Sequence, residues 1–417
     1  MTESLLRLLR CPFCGTRLQL VGNNALIRHG DRIESGVLGC ECCAFPIVAG
    51  IAVLIADERT RNAMHALEAD RRDQALCLLL GMDATQAHRC RKLLAPNTTI
   101  SFRDAIELLG PTAEGIYFLH RFSDPTFVPA EALVRAMVQN KATGTGPRLD
   151  LCGGAGHLTR VLTTAQPTGS TTPATIIADV HFWKLWLATQ FTVPDSAGVC
   201  CSAESPLPFV SDLFSIVILM DAFPYIWHKR LCADEMMRVA RLDGVLALPH
   251  LHSSLGENVN SGDPLSPTAY LELFAQYQPR LFSDERLLDE VIEDQVVDLS
   301  PVQSPEQLGS EPSLTLVASR HPELYRRLPV PDEAKVMGKL KVNPLYVVEQ
   351  RAGRSVLRLS FPTPDYEVEF GACRRYLPDT VTVDADLSRH ISPTQFGARY
   401  TELRRRRVLI DVPPRYW

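Results

Sequence analysis

Apolar and polar positions follow three rhythms along the chain. Between Arg148 and His252, short continuous apolar runs recur between polar or glycine-bearing stretches. RLDL (148–151), TIIAD (175–179), GVCC (198–201), FSIVILM (214–220) and GVLALP (244–249) fit strands covered on both faces. The intervening HLTRVLTTA (157–165), HFWKLWLATQF (181–191) and KRLCADEMMRVA (229–240) place apolar residues at helical spacing. Such alternation predicts an α/β domain over 142–321, with a mostly parallel, Rossmann-like sheet and helices on both faces. TAYLELFAQY (268–277) and SDERLLDEVIED (283–294) extend the helical pattern, and QVVDL (295–299) and SLTLVAS (313–319) are expected as the last two strands of the sheet.

A second rhythm, apolar residues three and four apart, runs from 57 to 141, and RTRNAMHALEADRRDQALCLLLG (59–81) is its longest stretch. This part is expected as a helical connector, either packed beside the sheet or lying over its cleft as a lid. His65, His88 and His120 fall in it without partner spacing and are expected as surface or packing residues. The third rhythm is two-residue alternation. It marks RLQLVG, ALIRHG and RIESGVLG near the start, and LYVVEQ, SVLRLSFP, YEVEFG and VTVDAD after residue 322. Residues 322–417 are therefore expected as a small β-rich or α+β domain. The four arginines Arg404 to Arg407 are expected on a solvated face.

With 417 residues, 46% apolar and 22% charged, the composition is that of an ordinary globular chain, long enough for about three domains. The net charge of −5 gives no global attraction to nucleic acid. No run approaches the ~20 apolar residues of a membrane span, and the first residues lack a signal-peptide pattern, so a cytoplasmic protein is expected. In such a chain, 12 cysteines point to metal or buried thiols and away from a disulfide frame.

Two cysteine pairs stand near the start, Cys11-Pro-Phe-Cys14 and Cys40-Glu-Cys42-Cys43, 25 residues apart. Pairs at this spacing sit on tight knuckles, and four thiolates complete a closed structural zinc site, a zinc ribbon over residues 1–56. Cys11, Cys14, Cys40 and Cys43 are the expected ligands; Cys42 is a spare thiol able to replace Cys43. The following AFPIVAGIAVLI, together with the pairs, resembles the small zinc-ribbon family that activates tRNA, rRNA and release-factor methyltransferases, over about Leu5 to Ile55. Phe45 replaces that family's tyrosine and Ala52 its proline. The resemblance implies a folding and docking module.

The glycine turn RLDLCGGAG (148–156) lets the backbone approach a ligand at the start of a helix. With IIADV, CSAESPLPF, FSIVILMDAFPYI and MMRVARLDGVLALPH in order, the stretch from Arg148 to His252 resembles class I S-adenosylmethionine-dependent methyltransferases, nearest the branch acting on small molecules. The resemblance implies that the final strand runs antiparallel. It implies a cofactor site of Asp150, Cys152, Gly153, Gly154, Gly156, Asp179, Val180, Ser202, Ala203, Glu204 and Asp221. Asp150 would position the amino group of the methionine part, and Asp179 the ribose hydroxyls, with Ser202 to Glu204 at the adenine. Cys152 stands where the family has its first glycine, and Ser202 where an aspartate is common.

Methyl transfer needs an aligned nucleophile and often a proton acceptor. His228, His250, His252, Asp221 and Tyr225 are the candidates, on loops after the fourth and fifth strands. Phe182, Trp183 and Trp186 are expected mainly in the core. A small-molecule substrate is expected, with no membrane partner and no favoured nucleic-acid contact. RNA or protein methylation, and a non-catalytic scaffold with this fold, stand as alternatives. The sequence does not give the oligomeric state or the accepting atom.

Overall fold

The computed structural model describes all residues except 83, 95–99, 111–112, 140–142, 164–174, 258–261, 331–335, 352–353, 385–386 and 388–390. The end of the first core helix and part of the polar loop 254–267 lie outside the described residues. The ribbon supplies β1 (Gln19–Val21), β2 (Ile27–His29), β3 (Arg32–Gly39), β4 (Ala44–Val48) and β5 (Ile51–Val53). The five apolar runs form β6 (Arg148–Leu151), β7 (Thr175–Asp179), β8 (Ala197–Cys200), β9 (Phe214–Ile218) and β10 (Ala240–His252). Then come β11 (Pro279–Ser283), β12 (Val296–Asp298) and β13 (Ser313–Ser319).

One 12-stranded sheet runs in the order β1-β3-β4-β5-β8-β7-β6-β9-β10-β13-β11, with β2 paired to β3. From β5 to β10 every neighbouring pair is parallel. Every residue of β6, β7 and β9 is buried, as strands sandwiched between helices require. β13 is antiparallel to both of its neighbours, as the resemblance implied. The core is the expected mostly parallel Rossmann-like sheet, with an N-terminal ribbon and a C-terminal α+β part.

The ribbon does not stand apart: it extends this sheet. Ala52 pairs with Val199 and Val53 with Cys200, and the Leu54 N–H donates to the Cys200 carbonyl at 2.7 Å. Phe45, Ile47, Ala52 and Leu54 share one apolar layer with Leu149, Ile176 and Val199. Among the described residues no helix is long and apolar enough to cross a membrane.

Several expectations need correction. QVVDL does not enter the main sheet; β12 pairs with β14 (Arg327–Pro329), and PRLFS supplies the edge strand β11 instead. Pro279, which lacks an N–H, is tolerated at the first residue of an edge strand. YEVEFG is helix, not strand. Thr363 caps the helix Pro364–Phe370 by accepting the Tyr366 N–H at 3.1 Å, and Pro364 opens its first turn. The C-terminal sheets are β15 (Lys339–Val342) with β19 (Leu409–Val412), and β16 (Tyr346–Arg351), β17 (Arg354–Leu359) and β18 (Thr380–Val383). The arginine run is only in part a solvated face: Arg405 is exposed, but Arg404 is buried and Arg407 pairs with the buried Glu131. Cys77 and Cys90 form one disulfide, and the other ten cysteines are free, so there is no disulfide frame.

Candidate active site

The strands β6, β7, β8 and β9 all end at one cleft of about 550 Å³. Its floor is the turn after β6. Cys152 holds φ 58°, a left-handed conformation natural to glycine, at the place where the resemblance puts glycine. Its thiol is pushed well up by burial and by the nearby Asp179 carboxylate, so it is neutral. A Cβ on Gly153 would lie 2.8 Å from the Asp150 Cγ, so the missing side chain is what lets the turn close over that carboxylate. Gly156, expected at the cofactor, faces away: a Cβ there would strike Ala188 on the next helix and Val193 just after it. Its role is to pack the turn against that helix.

Asp150, next to last in β6, and Asp179, last in β7, lie on adjacent strands and are both buried. Asp179 accepts the Gly154 N–H at 3.0 Å on one oxygen and the His181 N–H at 2.8 Å on the other. A carboxylate has about four acceptor positions, so two remain for a ligand. Asp150 accepts the Thr159 hydroxyl at 2.5 Å. Burial, aided by Asp179, pushes its carboxyl up to about 7 against the opposing Thr159 bond. Val180, Ser202, Ala203, Glu204 and Asp221 also line the cleft, as expected.

The sequence did not single out the residues that close the cleft. Glu114, Tyr117, Phe118 and Arg121 of the helical connector line it, so this part lies over the cleft. Buried Arg121 bonds Asp124 at 2.5 Å and Thr126 at 2.9 Å, and its other nitrogen is 3.8 Å from Asp221. The Tyr117 hydroxyl donates to Asp221 at 3.2 Å. The signal available was Arg121 three residues before an Asp-Pro turn, a spacing that favours a local ion pair. Phe182 and Trp186 are in the core, as expected; Trp183 is half-buried, edge-on to Phe118.

Four of the five proton-transfer candidates come together at one end of the cleft, with His250 and His252 packed beside the lining residues and not themselves in the lining. Tyr225 and Asp221 line it, the His252 ring lies 6.2 Å from the Tyr225 ring, and the His250 ring 5.2 Å from His252. His250 Nδ1 meets Asp284 at 2.9 Å. Burial works to lower the His250 pKa, but Asp284 and Asp221 outweigh it and hold it above the usual value. His252 is lowered by burial and by His250. His228 is not among them. It precedes the helix Lys229–Val239 and lines a separate groove with Trp227 and Asp234.

The cysteine cluster is the second candidate site. The sulfurs of Cys11, Cys14, Cys40 and Cys42 lie within 4.8 Å of one another. Cys43, expected as fourth ligand, is replaced by Cys42. The Cys40 N–H donates to the Cys43 carbonyl at 2.9 Å, which closes the hairpin there, and the Cys43 side chain packs on the apolar layer. Cys43 instead gives its N–H to the Cys40 sulfur at 3.2 Å.

No protein-family model matches the chain, and no curated protein sequence matches it either. Similar solved structures include the YcgJ protein of Bacillus subtilis, 18% identical over 46% of this chain and 98% of that one, with TM-score 0.31. A chain from the complex of the Haloferax volcanii Trm112 methyltransferase activator with a methyltransferase is 17% identical, over 53% and 99%, with TM-score 0.34. An S-adenosylmethionine-dependent methyltransferase of Aquifex aeolicus is 14% identical, over 45% and 86%, with TM-score 0.28. Likeness at this level carries no weight for function, which rests on the geometry of the cleft.

Proposed function

We propose that the chain is a class I S-adenosylmethionine-dependent methyltransferase acting on a small molecule, with a structural Zn²⁺ in its ribbon. The observation that carries the reading is Asp179. It ends β7 beside a glycine turn, buried, with acceptor positions left over, as binding of a ribose diol requires. Asp150 would meet the cofactor's amino group, and the Gly153–Gly154 backbone would pass beneath it. Ser202, Ala203 and Glu204 would border the adenine. The cofactor supplies an electrophilic methyl on a positively charged sulfur. At the far end of the cleft Tyr225, Asp221, His250 and His252 would hold the accepting atom and receive any proton it releases. The soft donor set of Cys11, Cys14, Cys40 and Cys42 fits zinc in a closed site.

Calorimetry with S-adenosylmethionine and S-adenosylhomocysteine tests this. Wild-type protein is expected to bind at about micromolar Kd, near −8 kcal/mol, and Asp179→Ala to lose it. An ammonium needs an ionised Asp150, so affinity is expected to rise as pH climbs through 7, and Asp150→Asn to flatten that rise. Folded, zinc-loaded protein that binds neither compound would overturn the assignment.

A further inference from the structure

Beyond the cofactor cleft proper, the structure assigns a second metal site, for a first-row divalent transition ion, to Asp221, His250 and His252. The ligating atoms of these three residues lie within 4.8 Å of one another. Two histidines and one carboxylate on one side leave open positions for an exchangeable ligand, and imidazole donors favour zinc, cobalt, nickel or iron over magnesium.

Four observations point to an ion and not only to a hydrogen-bonded cluster. His252 is 4% exposed, and its Nδ1 has no partner among the described residues. Buried polar atoms are nearly always satisfied, so an orphan here calls for an occupant. His250 already has its Nδ1 on Asp284, which in turn accepts the Thr315 hydroxyl at 2.6 Å. This is the carboxylate–histidine arrangement that fixes a ring and frees Nε2 as a ligand. The backbone is bent to bring the residues together. Asp221 and His250 hold φ 64° and 58°, and the Asp221 N–H bonds the Pro249 carbonyl at 3.2 Å. Non-glycine residues rarely adopt this conformation, and it clusters at functional sites. Finally, the carboxylates of Asp124, Asp221 and Asp284 outnumber the Arg121 guanidinium. This excess of carboxylate over guanidinium favours a cation.

The ion would lie beside Tyr225 at the substrate end of the cleft, where its open positions would take a substrate's oxygen donors, a hydroxyl next to a carbonyl or second hydroxyl. That role rests on the methyltransferase reading; the metal site itself does not.

The test is cobalt(II) added to full-length protein whose ribbon is already loaded with zinc. One equivalent is expected to bind, giving visible ligand-field bands without the thiolate charge-transfer absorption of a cysteine site. His252→Ala is expected to abolish these bands, and Asp284→Asn to weaken affinity about 10- to 100-fold, as loss of an outer partner does. Each variant should keep its single zinc and its thermal transition, which checks folding. Asp221→Asn, nearly isosteric and at the open cleft, serves if a histidine variant does not fold. Absence of cobalt binding by folded wild-type protein overturns the site, as does unchanged binding in the folded His252 or Asp221 variant. Calorimetry of S-adenosylmethionine needs no cobalt, so the two readings fail separately.

Discussion

The ribbon meets the core sheet through backbone, and the C-terminal part meets the helical connector and the first core helix largely through side chains. On the ribbon side, β5 lies parallel to β8, with apolar residues beneath. Such pairing places few demands on side-chain chemistry. On the other side, Tyr416 is fully buried, its hydroxyl donating to the Phe118 carbonyl at 2.5 Å and meeting His157 at 2.6 Å. Its ring stacks on Phe102 at 4.6 Å. The Tyr376 hydroxyl donates to the Ser123 carbonyl at 2.6 Å, Arg160 meets Asp411 at 3.2 Å, and Arg407 pairs with Glu131. Contacts of the second kind are buried and polar, so removing one partner leaves the other unsatisfied. Both Phe118 and His157 line the cleft, so the C-terminal part sets the shape of its wall.

Four experiments divide these attachments, from the largest effect down. Withdrawing the zinc proposed for the ribbon, by chelation or by Cys14→Ser with Cys40→Ser, is expected to remove on the order of 10 kcal/mol and unfold the ribbon. β8 then becomes a bare edge, and light scattering should show self-association. Unchanged scattering and circular dichroism would mean that the apolar layer holds the ribbon without metal.

Acid should loosen the other side. Burial, with Arg121 nearby, lowers the His157 pKa to about 3, against 6.5 for a free histidine. The unfolded chain therefore binds the extra proton, and stability present above pH 6.5 is lost as pH falls toward 3, by at most ~5 kcal/mol. His157→Gln should flatten the slope of urea stability across that window; an unaltered slope would assign it to other groups. Arg407→Ala leaves Glu131 with Arg135 alone and is expected to lower stability by about 3 kcal/mol in the same assay. A loss below measurement error would mean that water replaces the guanidinium. Smallest is Tyr416→Phe, which takes a hydroxyl from both the Phe118 carbonyl and His157, at about 1–2 kcal/mol. It should also weaken S-adenosylmethionine binding; if stability falls and affinity does not, the clasp supports the fold without shaping the cleft.

The same division governs what could be read from sequence. The parallel core was legible because most of its strands are short apolar runs, with Asp150 next to the end of one and Asp179 at the end of another. Edge elements were not. PRLFS lies between helical patterns with no alternation of its own, and the alternation of YEVEFG hid a capped helix. The joining of β5 to β8 leaves no local trace, since backbone pairing asks little of either strand. Buried pairs such as Arg407 with Glu131 join residues far apart in the chain, and nothing near either one announces the other. At the cleft, strand ends pointed to the cofactor side, while Tyr117, Arg121 and Asp284 come from helices whose patterns speak only of packing.

The pairing of β5 with β8 has a further consequence, because both strands belong to one chain. Docking of the ribbon is a unimolecular event, governed by an effective concentration set by the connecting segment and independent of how dilute the protein is. A separate activator would dissociate on dilution and would need an interface strong enough to resist it. Here the β5–β8 ladder is only two residue pairs long, seconded by the Leu9–Phe209 bridge, and its closing does not depend on protein concentration.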